Sequence, residues 1–341
     1  MPKKLKIKHV SRWQAYLLLL LNVALNAVAL PLVKPIFGYT TPFRFLFYRF
    51  VIAVIISTPI LYHFIRRHSI SFKQILLVAA IELFGSSLSL GILYLGLART
   101  TSLEANLIAT SSPIFVVLAG VIYLREKEER HEWVGLLLAF LGTLLIIVLP
   151  ILKGQTAFSM MSFTGNALIL LQNITGALGL ILAKKYYVKI PKFVVTGIAS
   201  IVGMFSFAAL SYWELGAQRI DFTRVILDDF QHFSLWSAVL YMSIGVTLIA
   251  STAYLKGQEC IEASEASLFS YLSPLIFFPV SIFILHEGFN PLHVIGLTVV
   301  LVGVIVAEAR VRKIAKVKPH KVLKHVKHLK TQNAFKLKEN C

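Results

Sequence analysis

The sequence predicts an all-α integral membrane protein with ten transmembrane helices, arranged as two inverted five-helix repeats. Three observations carry that expectation: apolar blocks long enough to cross a bilayer, basic residues gathered on alternate loops, and a match of the chain to itself at one offset. Of 341 residues, 57% are apolar and 15% charged, and the mean hydropathy is +0.76. Ordinary soluble domains carry about 25% charged residues. About twenty consecutive apolar residues cross the hydrocarbon layer as a helix, whose backbone groups satisfy one another where no water can.

Such blocks place spans at 14–35, 42–63, 75–97, 103–124, 133–151, 163–183, 193–213, 235–255, 264–285 and 291–309. The first has features of a signal peptide: a basic stretch from Met1 to Arg12, an apolar run from Ala15 to Leu25, and Ala27-Val28-Ala29 as a cleavage-like site. Its apolar run continues to Val33 and it has a counterpart in the second half, so an uncleaved span is expected. An even number of spans puts both termini on one side. With the termini inside, 27 of the 34 Lys and Arg fall on cytoplasmic segments, leaving Lys34, Arg44, Arg49, Arg99, Lys153, Arg219 and Arg224. The positive-inside rule then predicts a plasma-membrane protein with both termini in the cytoplasm.

The net charge of +18 therefore reflects topology and a basic tail, and excludes nucleic acid as the expected partner. Val322, Val326 and Leu329 in that tail have roughly helical spacing, which suits contact with anionic lipid; a solvated, disordered tail is the alternative. The long external connection 214–233 holds Asp221, Asp228 and Asp229, and its Phe222, Val225, Ile226 and Phe230 predict a short amphipathic helix. Cys260 and Cys341 are far apart and suggest neither a disulfide framework nor a metal site; no cofactor signature is present.

Shifted by 161 residues, Glu104-Ala105 falls on Glu265-Ala266, Leu107 on Leu268, Pro113 on Pro274 and Leu124 on Leu285. The same shift places Glu126 on Glu287, Gly135 on Gly296 and Gly142 on Gly303. A slightly smaller shift aligns Gly85 with Gly245 and Tyr94 with Tyr254, and a shift of 150 aligns Lys34 with Lys184. The chain is a duplication. Five spans per half is an odd number, so the second half enters the membrane from the opposite side. Inverted repeats are the architecture of secondary transporters, in which one fold offers two packings open to opposite faces.

These residues are also those of a known family. Each half resembles an EamA domain of the drug/metabolite transporter superfamily. The run Tyr94-Leu95-Gly96-Leu97-Ala98-Arg99-Thr100-Thr101 through Ala105 looks like the family's junction of spans three and four. Pro113, Glu126, Gly135 and Gly142, with Pro274, Glu287, Gly296 and Gly303 in the second half, match its Pro, Gly-Glu and Gly-x6-Gly pattern. Lys34 and Arg49 sit where the family often has a Lys ending span one and an Arg in span two. Arg125 and His286 stand where the family has the Gly before its Glu. The resemblance implies a cytoplasmic N-terminus (1–13), two EamA-like repeats (14–151 and 163–309) and a cytoplasmic tail (310–341). It also implies a small-molecule permease or exporter, often coupled to a proton or ion gradient.

Polar groups inside a bilayer are costly and usually face the bundle interior. Asn22 and Asn26 lie four apart, on one helix face, with Gln172 and Asn173 as approximate counterparts. Ser86, Thr247, Ser251 and Tyr271 join them as candidates to line a central substrate cavity, as do the charged Arg49 and Glu82. For the serines and threonines, close helix packing is the competing reading. By helix rise, Arg49 and Glu82 differ in depth by roughly 6 Å, which a long Arg can close. They are expected either to pair or to act as an anion-binding Arg and a proton- or cation-accepting Glu. Glu104 and Glu265 are expected to cap their helices. Pro113 and Pro274 are expected to kink their spans as hinges. The paired glycines of spans five and ten are expected to form a packing seam first and a homodimer surface second.

Among rival readings, a flippase for a lipid-linked intermediate is the nearest. A channel would lack a reason for the inverted duplication. A membrane enzyme is disfavoured because His63, His68, His131, His232, His286 and His293 form no catalytic pattern; nothing resembles a Walker A loop, so ATP-driven transport would need a separate subunit.

Overall fold

The computed structural model describes residues 11–68, 70–109, 111–126, 130–152, 160–187, 190–217, 222–259, 261–285 and 291–308. Every regular element among them is helical. The tail from Arg310, with Glu287, His286, Cys260 and Cys341, lies outside the described residues.

The first half comprises α1 (Arg12–Val33), α2 (Pro42–His68), α3 (Phe72–Ile81), α4 (Leu88–Arg99), α5 (Ser102–Ala109), α6 (Ser112–Ala119) and α7 (Arg130–Leu152). The second comprises α8 (Met160–Tyr186), α9 (Lys192–Ala217), α10 (Phe222–Asp229), α11 (Phe233–Leu240), α12 (Ser251–Gly257), α13 (Ala263–Leu268), α14 (Ser273–Leu285) and α15 (Pro291–Glu308). A π-helical segment, Glu82–Ser87, joins α3 to α4, and another, Tyr241–Ala250, joins α11 to α12. Among the described residues, six stretches are long and apolar enough to cross a membrane: Arg12–Gly38, Pro42–Ile65, Phe72–Arg99, Met161–Tyr186, Lys192–Gly216 and Phe233–Gly257. Shorter apolar helices run over Ser112–Leu124 and Glu265–Val280.

Local chemistry starts these helices where they start. Ser11 and Gln14 form a reciprocal capping box at the head of α1, and Ser71 with Gln74 does the same at α3. Burial is then the reverse of a soluble protein's. Phe84, Trp213 and Phe283 are 67%, 70% and 80% exposed, while Arg49 and Asn173 are buried. Large apolar side chains turned outward, with polar and charged groups buried inside an otherwise apolar core, suit lipid as the solvent.

The packing follows the duplication. α7 runs along α15, α2 along α9, and α4 along α8, while α1 packs on α12 and α14. Glycines permit these approaches. A Cβ on Gly142 would lie 2.8 Å from Val300 N and 2.9 Å from Gly296 O; one on Gly303 would lie 2.5 Å from Ala139 N and 2.6 Å from Gly135 O. Each contact is the repeat image of the other. The seam is thus used inside the chain, between α7 and α15, and is not free to be the homodimer surface expected from its sequence. Gly96 meets Gly165 O and Ile169, and its repeat image, Gly257, meets Ala15 O and Leu19.

The segments expected as spans four and nine are not continuous α-helices. α5 stops at Ala109 and α6 begins at Ser112, so Pro113 occupies the first turn of a new helix, where its missing N–H costs nothing. A 3₁₀ turn, Phe269–Leu272, separates α13 from α14 and puts Pro274 in the matching place. Beyond α6, a π turn at Gly120–Leu124 ends at Arg125, whose φ of 56° is left-handed. That conformation favours glycine, which accounts for the family's Gly at this position; here Arg adopts it.

The connection 214–233 forms α10, as its amphipathic pattern predicts. Its buried Asp229 accepts from Tyr48 OH (2.7 Å) and pairs with Arg44 (3.3 Å), so α10 is fastened to α2.

Candidate functional site

Two adjoining chambers, of about 360 and 320 Å³, lie between the halves and share Asn22, Asn26, Arg49, Ser112, Gln172 and Tyr254 in their walls. Sites for small molecules are commonly concave, mostly apolar volumes of this order with a few placed polar groups. The first chamber adds Tyr94, Asn106, Asn173 and the serines 267, 270 and 273. The second adds Glu82, Ser86, Ser89, Thr196, Thr247 and Ser251.

Arg49 stands where the chambers meet. Its Nε donates to Thr247 Oγ1 (2.7 Å) and its Nη1 to Tyr94 OH (3.0 Å). Both partners are neutral, so neither compensates the guanidinium's charge, and it has donors left over. Glu82 is not its partner. Glu82 accepts from Tyr187 OH (2.9 Å), in the second chamber. The expected pair fails because depth along the helix axis says nothing of direction around it: Arg49 is turned toward the Tyr241–Ala250 segment and α4, Glu82 toward the end of α8.

The π segments bring several candidates together. In a π turn the bond closes on the fifth residue back, and such turns frequently mark functional sites. Thr247 Oγ1 donates to Met242 O (2.9 Å) and Ser251 Oγ to Val246 O (3.1 Å), each five residues back, which satisfies their hydroxyl protons locally. Glu82 and Ser86 belong to the repeat-related segment.

The helix break at Pro113 is held by a side chain. Asn173 Nδ2 donates to Ile108 O (2.8 Å) and to Ser111 Oγ (3.0 Å), closing the interruption from α8. In the second half the 3₁₀ turn sets a period of three, so Ser267, Ser270 and Ser273 share the face that lines the first chamber. Tyr271 is off that face. Expected as a cavity residue, it is fully buried among Val117, Leu136, Ala139 and Val300, and its hydroxyl has no partner among the described residues. The reason is the tighter 3₁₀ turn, which rotates position 271 away from where an α-helix would aim it.

Glu104 and Glu265 do more than cap. Glu104 Oε2 accepts from Ser162 (2.6 Å) and Asn166 (2.9 Å), and Glu265 Oε1 from Tyr16 (2.6 Å) and Arg12 (2.7 Å). Ser162 and Asn166 are the 150-residue images of Arg12 and Tyr16, so each Glu pins one helix start to the same helix of the opposite half. At the far end of α8, Lys184 Nζ donates to Glu126 Oε1 (3.2 Å) and Ile261 O (2.9 Å), while Ala263 N also donates to Glu126 (3.2 Å). Sequence reasoning passed over Asn106 and gave no role to Tyr94. A lone Asn, and a Tyr already assigned to a repeat motif, carried no signal of cavity placement.

Comparisons with known proteins agree with this architecture. The model of the EamA-like transporter family matches residues 13–148 and again 163–308. YetK of Bacillus subtilis (strain 168), named an uncharacterized transporter, is 26% identical over 260 residues, 76% of each chain. YcxC of the same organism, also named an uncharacterized transporter, is 25% identical over 308 residues, covering 90% of this chain and 96% of its own. A solved crystal structure superposes with a TM-score of 0.68 over 89% of this chain and 99% of its own, at 19% identity, a likeness of fold alone. With two matches covering most of its length, the chain belongs to the EamA-like transporter family.

Proposed function

We propose that the protein is a secondary transporter that moves a small molecule across the cytoplasmic membrane by alternating access, with Arg49 holding an anionic group of the substrate. In this reading it is not an enzyme, its ten spans form two inverted repeats, and both termini are cytoplasmic. Glu82 is the group placed to accept a coupling proton or cation in the second chamber.

The observation that carries the reading is a difference between two repeat-related seams. A Cβ on Gly85 would lie 2.5 Å from Gly179 Cα, so the Glu82–Ser87 segment and α8 touch backbone to backbone there. The images of these residues are Gly245 and Ala29, yet a Cβ on Gly245 finds its nearest neighbour 3.7 Å away, at Leu25. The seams match at Gly96 and Gly257 and differ here: one is shut and its counterpart has room. That asymmetry is what a two-state transporter has when caught in one state. By the distribution of Lys and Arg, the shut seam faces the cytoplasm.

Gly179→Val tests this. Valine cannot enter the shut seam, because what it meets is backbone, so the variant is expected to populate the opposite state. The readout is a Thr196→Cys reporter, in the wall of the second chamber, with Cys260 and Cys341 replaced by Ser. A membrane-impermeant thiol reagent applied from the cytoplasmic face is expected to label it in Gly179→Val and spare it in the parent. Equal labelling of both, with each protein monodisperse, would sink the reading.

A further inference from the structure

The five amides of the first chamber are all turned the same way. Asn22 Nδ2 donates to Ala250 O (3.0 Å), Asn26 Nδ2 to Asn22 O (2.9 Å), and Asn173 Nδ2 to Ile108 O (2.8 Å). Gln172 Nε2 donates to Ser89 Oγ (3.3 Å) and Asn106 Nδ2 to Ser273 Oγ (3.3 Å). Backbone carbonyls accept only, which fixes the first three amides, and Ser89 has already given its proton to Gln172 O (3.2 Å). Their nitrogens are therefore engaged with the protein, while none of the five oxygens receives a hydrogen bond among the described residues. Asn106 Oδ1 also has no partner among the described residues, but it is fully buried and out of a ligand's reach. Among the described residues of this chamber's wall, Arg49 is the one charged side chain and no carboxylate joins it.

We infer that the first chamber takes an anion bearing several hydroxyl groups, such as a hydroxylated carboxylate or phosphate ester. The anionic group meets the Arg49 guanidinium, and the hydroxyls donate to the amide oxygens of Asn22, Asn26, Gln172 and Asn173, which have no other donor among the described residues. A neutral polyol leaves Arg49 uncompensated. An unsubstituted fatty acid leaves the amide oxygens dry and unpaired. A molecule with an ammonium group would bring a second cation into a chamber that has no anion to receive it. The mostly apolar remainder of the wall, with Tyr94, Tyr254 and Phe269, suits the C–H face of the same ligand. The inference rests on this cavity being the substrate site.

The test is binding to the purified full-length protein by ligand-induced thermal shift, using gluconate, glucose 6-phosphate, hexanoate, glucose and lysine. Gluconate or glucose 6-phosphate is expected to bind at least tenfold tighter than hexanoate, glucose or lysine; which of the two wins tells carboxylate from phosphate. In Asn26→Leu, whose amide makes one local bond, the hydroxylated anion is expected to weaken about tenfold, the loss of one or two hydrogen bonds, with hexanoate unchanged. Equal binding of hexanoate, preference for lysine, or no shift from either hydroxylated anion would overturn the inference. Labelling of the Thr196→Cys reporter is read without any ligand, so a failed ligand class and a failed transport reading are told apart.

Discussion

Arg49→Met is expected to abolish the stabilisation given by an anionic ligand while leaving the unliganded melting temperature unchanged or raised. The two halves of that expectation have different causes. The guanidinium supplies the charge in the wall of the first chamber, and hydrogen bonds to a charged group contribute about 1.5–3 kcal/mol, so the loss in affinity is about 10- to 150-fold. The unliganded protein gains from the same change. A buried Arg with no carboxylate keeps its desolvation cost, about 2.5–3.5 kcal/mol at the centre of a membrane helix by insertion scales, and Met fills similar space without it. The substitution removes one bond from each partner: Thr247 still donates to Met242 O, and Tyr94 is a residue of the chamber wall. An Arg that served only as a structural clamp would behave oppositely, lowering the melting temperature and leaving ligand response intact. Thermal unfolding with and without gluconate reads both.

Gly303→Val is expected to be the most damaging single substitution for stability. Its first added atom falls 2.5 Å from Ala139 N and 2.6 Å from Gly135 O, on a neighbouring backbone that cannot rotate out of the way. Overpacking of a well-packed interior costs about 1–3 kcal/mol and occasionally more, and here relief requires parting α7 from α15 along the seam. Gly142→Val should act similarly, because it is the repeat image. Gly245→Ala is the control: with 3.7 Å of clearance, a methyl group enters without displacement. Detergent-solubilised Gly303→Val should aggregate or melt well below the parent, while Gly245→Ala should match it.

The sequence was most readable where chemistry and spacing are local. The 161-residue offset named Gly135, Gly142, Gly296 and Gly303 as equivalents, and the structure makes them reciprocal contacts across α7 and α15. Asn22 and Asn26 share a face because four residues make about one turn, and both border both chambers. What escaped was whatever depends on departures from the α-helix. The π segments at Glu82–Ser87 and Tyr241–Ala250 shift the register of every residue after them, and the 3₁₀ turn at Phe269–Leu272 swings Tyr271 into the core while lining up three serines. A pattern read at 3.6 residues per turn cannot foresee either. The partner of Glu104 escaped for another reason: it is Asn166, 62 residues away, and only folding brings it near.

In the proposed cycle one cavity is reached alternately from the two sides of the membrane. Its most direct test is a cysteine at Ser112, in the wall of both chambers, with Cys260 and Cys341 replaced by Ser. A membrane-impermeant thiol reagent would be applied separately to the external and cytoplasmic faces of intact and inverted vesicles. Labelling is expected from each face, with an outward-facing control at Phe84→Cys labelled from neither. Labelling of Ser112→Cys from one face alone, under every condition, would contradict it.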